Sequence, residues 1–324
     1  MIRKKWAEKA PLEGIMNQTE SLVTEIQKVI VGKEEVIQNV LMAILARGHI
    51  LLEDIPGVGK TTLALAFSRV LGMDYKRIQF TPDVIPSDVV GFTVYDKKAD
   101  SFIYKPGAVM CNLLLADEIN RTSSKTQAAL LEVMEEGSVT VDGKTYPVPQ
   151  PFAVLSTQNP FGSAGTQMLP QSQLDRFMVK LSMGYPDFDS QVNILRDRQN
   201  EQPLDSLRQV ASKEDIMNMQ QEVAQVTVKD NILRYITTLV ENTRKHELIQ
   251  LGVSPRGALA VNNMAKAAAY VSGREYVIPE DIVRIFTDVC AHRVILHPRA
   301  KVANTTAEEI MEEIVKETKA AEVA

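Results

Sequence analysis

Cysteine is nearly absent: Cys111 and Cys290 are the only two among 324 residues. That excludes a disulfide framework, and with Cys111 inside an apolar run the pair reads as free thiols in a reducing compartment. Long hydrophobic runs are missing too. Stretches such as Leu113 to Ala116 fall far short of the roughly 20 residues needed to cross a bilayer, so no membrane insertion is expected. Arg3, Lys4 and Lys5 are followed by Ala7-Glu8-Lys9 and not by an apolar segment, which reads as a solvated end and not as a secretory signal. The expectation is a soluble, cytoplasmic protein. Positive charge is not in excess, since 36 Lys plus Arg against 41 Asp plus Glu leave a net charge of -5. Such a balance exerts no chain-wide pull toward DNA or anionic lipid, and no nucleic-acid partner is expected. No repeat at a period of about 20 to 50 residues is visible.

What remains is ordinary globular material, 45% hydrophobic and 24% charged, long enough for one large or two medium domains with cores of their own. From about residue 48 to 182, short apolar runs alternate with helix-period segments. The runs are His49 to Glu53, Arg77 to Phe80, Asn112 to Ala116, Phe152 to Ser156 and Phe177 to Leu181, the pattern of strands joined by crossover helices in a parallel sheet. The first helix carries Leu63, Ala66, Phe67, Val70 and Leu71 on one stripe and ends at Gly72; a second, Gln127 to Glu136, stops at Gly137. Val139 to Tyr146 holds the Asp142-Gly143 pair of a tight hairpin turn. Phe92 to Tyr95 and Phe102 to Tyr104 flank a polar tip and predict a second hairpin.

After about residue 186 strand signals fade. Asp189 is placed to cap a helix with Val192 and Leu195, Lys229 to His246 reads as helix, and Ser254-Pro255 offers an N-cap with proline at the first helical position. Pro279-Glu280-Asp281 opens a helix with Ile282, Ile285, Phe286 and Val289 on one face. The Ala/Glu-rich tail after Thr305 reads as a short helix that frays.

The sequence from His49 to Thr62 is strand, tight loop and helix around Pro56-Gly57-Val58-Gly59-Lys60-Thr61. In such a loop, backbone N–H groups and the positive end of the following helix converge on phosphate oxygens; Lys60 adds a full charge and Thr61 would ligate Mg²⁺. The full phosphate-loop pattern asks for glycine six residues before the lysine, where this chain has Asp54. The next apolar run ends in Asp117-Glu118, at the carboxyl edge of a parallel sheet where ligands bind. Asp117 would hold Mg²⁺ through water, and Glu118 would orient and deprotonate an attacking water. Ser156-Thr157-Gln158-Asn159-Pro160 ends a further strand with amides; Asn159 suits a neutral donor to the γ-phosphate, or an Asx turn before Pro160.

These pieces together resemble the AAA+ ATPases, and their wording is close to the MoxR family: Glu53 through Thr61, Phe80-Thr81-Pro82-Asp83, Asp117-Glu118-Ile119-Asn120-Arg121, Thr157-Gln158-Asn159-Pro160 and Leu174-Asp175-Arg176-Phe177. The resemblance implies an α/β P-loop NTPase core of AAA+ type with a parallel five-stranded sheet, over residues 1–205, and a helical lid over 206–324. It implies a ring assembly, usually a hexamer. Val31-Gly32 would contact adenine through backbone, with Pro56, Gly57, Val58, Gly59, Lys60, Thr61 and Thr62 around the phosphates. The hairpins near 92–104 and 139–146 correspond to the helix-2 and presensor-1 inserts.

By the same resemblance Asn159 is sensor 1, Arg176 the arginine finger reaching a neighbour's γ-phosphate, Arg121 a second candidate for that interface, and Arg256 sensor 2, acting in its own subunit or a neighbour's. Where the family has Glu before the finger, this chain has Leu169-Pro170-Gln171. Cys290, His292 and His297 lack a second ligand pair and read as packing, not metal.

The expected function is Mg²⁺-dependent ATP hydrolysis by an oligomeric chaperone that remodels or matures protein clients, among them proteins with von Willebrand factor A domains. The rival is a nucleic-acid motor of the helix-2-insert type, against which Lys97 and Lys98 are offset by Asp96 and Asp100. A small-molecule kinase would transfer phosphate to something other than water. The absence of an Asn-Lys-x-Asp segment argues against guanine.

Overall fold

The computed structural model describes residues 12–159, 168–197 and 203–319. The basic end at Arg3, Lys4 and Lys5, Pro160, and part of the expected core-to-lid junction lie outside the described residues. Among them, no helix is long and apolar enough to cross a membrane.

Five strands form one parallel sheet in the spatial order Tyr75–Gln79, Leu113–Asp117, Ala153–Gln158, Ile50–Glu53, Val179–Leu181. They are the five runs read from the sequence, with ends shifted by at most two residues. Each central strand is buried on both faces, and alternate side chains feed different cores. Leu113, Leu115, Ile50, Leu52 and Leu155 point into a core shared with the helices. Leu114, Ala116, Leu51 and Val154 point to the opposite core with Phe80, Leu130 and Phe177. Parallel register places Gln79 beside Asp117, Ala116 beside Ser156 and Glu53 beside Gln158. The polar ends of four strands therefore share one edge.

Both hairpins are present. Gly91–Asp96 pairs with Ser101–Pro106, and Ser138–Val141 with Lys144–Pro147. At the second turn Asp142 and Gly143 have φ of 48° and 76°, the left-handed values that a two-residue turn requires. The hairpins touch each other: Tyr104 stacks on Tyr146 at 4.1 Å, and Thr93 donates to Asp142.

Helices Leu12–Gln27 and Glu34–Leu45 precede the sheet, and the C-terminal region is helical, with Lys213–Gln225, Asp230–Lys245, Pro255–Val271, Pro279–Cys290 and Ala307–Glu317. Ser254 caps its helix by accepting from the Gly257 N–H at 3.1 Å, as Ser254-Pro255 predicts. Three expectations need correction. The helix Phe188–Asp197 is capped by Asp187, whose carboxylate accepts from Ser190 N at 2.8 Å, while Asp189 sits inside the first turn. The helix after Thr305 is anchored, since Thr306 and Glu309 form a capping box and Ile310, Met311 and Ile314 are buried. Finally, Ile249–Leu251 and Ile295–Leu296 pair as a small antiparallel sheet, too short to show a period of two.

One polar tie between these layers carries a titratable group. Asp288 on Pro279–Cys290 accepts from Asn39 Nδ2 on Glu34–Leu45 at 2.6 Å. Burial, then the nearby Glu35 and Glu308, push its carboxyl up to about 6. A raised folded-state value favours the neutral acid, so the ionised form costs stability above pH 6, and this cost fades as the pH falls toward 3.8. Asp288→Asn imitates the neutral form. Thermal unfolding should show it more stable than the parent by up to about 3 kcal/mol at pH 8, with the difference shrinking toward pH 4. An equal effect at both pH values would contradict this.

Candidate functional site

The loop between Ile50–Glu53 and the helix Lys60–Val70 turns on two glycines, Gly57 at φ +87° and Gly59 at φ +100°. No L side chain takes these values readily. A Cβ built at Gly57 meets nothing within 4 Å, so the loop faces open space. Lys60 turns back onto the loop and donates to the carbonyls of Asp54 at 2.8 Å and Ile55 at 3.3 Å. Burial lowers its ammonium below the usual lysine value, partly offset by Asp54, Asp117 and Glu118.

Asp54, in the place where the pattern asks for glycine, has a definite job. It is only 5% exposed, and its carboxylate accepts from Ser182 Oγ at 2.9 Å, Met183 N at 2.6 Å and Gly184 N at 3.0 Å. The phosphate loop is thereby bolted to the segment that leaves the edge strand Val179–Leu181. That segment continues into Tyr185 and Pro186, which with Val31, Pro56, Val58 and Leu195 line a cavity of about 330 Å³. Gly57, Gly59 and Thr62 line it too. Gly32, at φ +72°, packs against the Phe188–Asp197 helix, where a Cβ would fall 2.4 Å from Ser190 Oγ.

A second cavity, of about 400 Å³, adjoins the first across Pro56, Gly57, Gly59 and Thr62. Into it face Lys60, Thr61, Asp117, Glu118 and Asn159, together with Arg77 and Gln79. The acidic pair is already partnered. Asp117 accepts from Thr157 Oγ1 at 2.6 Å and from Arg77 Nη2 at 2.6 Å. Glu118 has left-handed backbone, φ 56°, which turns its side chain out of the strand's line. Its Oε2 accepts from Gln79 Nε2 at 2.8 Å and Arg121 Nη1 at 2.6 Å. The donor set fits a magnesium triphosphate: an ammonium, a hydroxyl and two carboxylates around a loop with room beside Gly57.

Arg176 and Arg256 lie elsewhere. Neither lines these cavities. Arg176 donates to Leu131 O at 3.1 Å and pairs with Glu135, whose other oxygen is 3.5 Å from Arg256 Nη1. One carboxylate on the helix Ser124–Glu136 thus gathers both guanidiniums. Gln171, in the stretch Leu169-Pro170-Gln171 where the resemblance expects Glu, donates from Nε2 to His292 O at 2.8 Å, a bond that a carboxylate cannot make. Cys290 and His292 are buried in the helical region, and His297 caps Pro298–Val302 through its side chain.

Sequence reading missed Arg77, Gln79 and Glu135. The first two became visible only once the register set Tyr75–Gln79 beside Leu113–Asp117. Glu135 carries no local signal, being one of two consecutive acids at a helix end.

A two-glycine loop leading into a helix, beside an acidic pair at the carboxyl edge of a parallel sheet and followed by a helical C-terminal region, defines a P-loop ATPase of the AAA+ class. Residues 49–179 match the ATPase family associated with various cellular activities (AAA), and residues 241–314 the AAA lid domain. The chain belongs to the MoxR family of these ATPases. It is 38% identical to the chaperone MoxR1 of Mycobacterium tuberculosis over 94% of this chain and 82% of that one. To YeaC of Bacillus subtilis it is 50% identical over 92% and 93%. Protein MoxR of Methylorubrum extorquens is 31% identical over 85% and 86%. The solved structure of a candidate ATPase from Cytophaga hutchinsonii superposes with a TM-score of 0.88 at 36% identity, covering 95% of this chain and 96% of that one.

The Asp54 bolt can be tested against the sequence pattern. Asp54→Gly restores the expected glycine yet leaves two buried N–H groups without acceptors, at about 1–3 kcal/mol. Titration with a fluorescent ATP analogue should show affinity lowered about tenfold. Affinity equal to or better than the parent's would contradict the role given to Asp54.

Proposed function

We propose that this chain is a Mg²⁺-dependent ATP hydrolase whose active sites are completed between subunits of a ring, the hexamer that the family resemblance implies, and that it works as a chaperone on protein clients. The observation that carries the reading is the separation of two half-sites. Lys60, Thr61, Asp117, Glu118 and Asn159 share one cavity, whereas Arg176 and Arg256 converge on Glu135 away from it. A guanidinium pair held together by one carboxylate is spaced to hold one phosphoryl group, and a second copy of the chain is what would supply it.

In this reading the loop N–H groups and Lys60 bind the β- and γ-phosphates, Val31 and Tyr185 flank the nucleoside, and Asn159 steadies the γ-phosphate. Thr61 and, through water, Asp117 would hold Mg²⁺, which neutralises charge on the phosphates when bound. Glu118 is the base for the attacking water. Its Oε2 accepts from Gln79 and Arg121, which orient the carboxylate and leave Oε1 as the oxygen that takes the proton. Arg121 therefore acts first within its own chain. Arg176 and Arg256 stabilise transition-state charge in the neighbouring subunit, which makes turnover depend on assembly.

Clients meet the ring at the joined hairpins, whose Phe92, Tyr95 and Phe102 are exposed. A relative named as a chaperone supports a protein client, and by the family resemblance proteins with von Willebrand factor A domains are the first to try. A cytoplasmic location goes with this reading.

Lys60→Ala should lose nucleotide binding, whereas Glu118→Gln should retain ATP unhydrolysed; normal turnover by the Gln variant would refute the base assignment. Arg176→Ala should bind ATP normally but lose about 10³-fold in turnover. Mixing it with Lys60→Ala should restore part of the activity, because the Arg176→Ala pockets then face intact arginines. No recovery at any mixing ratio would refute completion between subunits.

A further inference from the structure

The two arginines that meet at Glu135 come from separate elements of the chain. Arg176 follows the short helix Gln171–Leu174 at the edge of the sheet, and Arg256 is the second residue of the helix Pro255–Val271. Something must hold these elements at a fixed separation, since the two guanidiniums can serve one phosphoryl group only if their bases do not drift.

Arg293 sits at that junction. It lies in the turn Ala291–Arg293, just after Pro279–Cys290, and its side chain is 2% exposed. Its guanidinium donates from Nε to Asp175 Oδ1 at 2.9 Å, from Nη2 to Phe177 O at 2.6 Å and from Nη1 to Met178 O at 3.1 Å. These acceptors bracket Arg176 on both sides in the chain. The other oxygen of Asp175 accepts from Ser254 Oγ at 3.0 Å, and Ser254 in turn caps the helix that begins with Pro255 and Arg256.

The packing reports the same junction. Gly257 follows Arg256 inside a helix, where glycine costs about 0.5–1 kcal/mol relative to alanine. A Cβ there would lie 2.8 Å from Arg293 Cδ and 2.5 Å from Val253 Cγ1. The helix bearing Arg256 thus presses onto the stem of Arg293, while the fork of Arg293 grips the turn bearing Arg176.

We propose that Arg293, with Asp175 as its counter-charge, is a positioning residue for ATP hydrolysis: it fixes Arg176 and Arg256 as one unit that acts on the nucleotide of the adjacent subunit. The idea rests on the between-subunit reading above. A buried ion pair is a poor source of stability against apolar packing of equal volume. Arg293 spends two of its donors on the main chain around Arg176, where a planar fork sets direction and a point charge cannot. Arg293 itself touches no nucleotide.

The experiment uses the full chain with Mg²⁺ and ATP. Arg293→Lys keeps a positive charge against Asp175 but cannot serve the two carbonyls and the carboxylate in one plane. Its own pocket should bind a fluorescent ATP analogue within twofold of the parent, while turnover falls by about 10- to 100-fold, the scale expected for a misplaced catalytic group. Mixed with Lys60→Ala subunits, it should recover activity to the level of the Arg176→Ala and Lys60→Ala mixture. A role confined to holding the fold together would damage the variant's own pocket and leave it beyond rescue.

Parental turnover by Arg293→Lys overturns the proposal. So does a deficit that Lys60→Ala fails to rescue while it does rescue Arg176→Ala; in that case the between-subunit reading survives alone. If Arg176→Ala is not rescued either, both fall together. Asp175→Asn, which leaves the carbonyl bonds of Arg293 in place, is read in the same three ways and decides the matter if Arg293→Lys does not fold.

Discussion

Everything at the nucleotide end depends on parallel strand register. Gln79 stands beside Asp117 and Glu53 beside Gln158 because the strands pair without slippage around a buried centre. A slip of one residue would turn Leu114 and Leu115 into each other's cores and carry Asp117 off the edge. The two apolar cores forbid that slip, so the hydrophobic alternation of these strands places the acidic pair against the loop. Asp54 then closes the arrangement on the other side by tying the loop to Ser182, Met183 and Gly184.

Charge in the chain is compensated locally in a way that fits a machine made of copies. Asp117 is held by Arg77, Glu118 by Arg121, and Arg176 and Arg256 by Glu135. These groups are partly exposed, so their pairs are individually weak and exchangeable. A magnesium triphosphate would offer a stronger partner to each side, its cation to the carboxylates and its phosphates to the arginines. Arg293 differs from all of them in being buried, and it grips main chain as well as the Asp175 carboxylate.

Much of this was legible beforehand. The strand, loop and helix around Lys60, the acids at Asp117-Glu118, and the Asp142-Gly143 turn all carry their signal within a few consecutive residues, and each stands where local physics puts it. What escaped was non-local. Arg77 and Gln79 needed a neighbouring strand's register, and the contact between Arg293 and Asp175 spans 118 positions. Asp187 and Asp189 are both plausible caps in a linear reading, and only backbone geometry chose the first. The departure at Asp54 looked like a weakened motif because its three partners lie about 130 residues away in the sequence.

The central claim is that one chain holds two halves of a site that it cannot join by itself. The most direct measurement is ATP turnover per subunit as the protein is diluted at saturating Mg²⁺ and ATP, with mass followed in parallel by sedimentation. Turnover should collapse together with the loss of assemblies and return on concentration. Constant turnover per subunit in solutions that sediment as monomer would contradict the account.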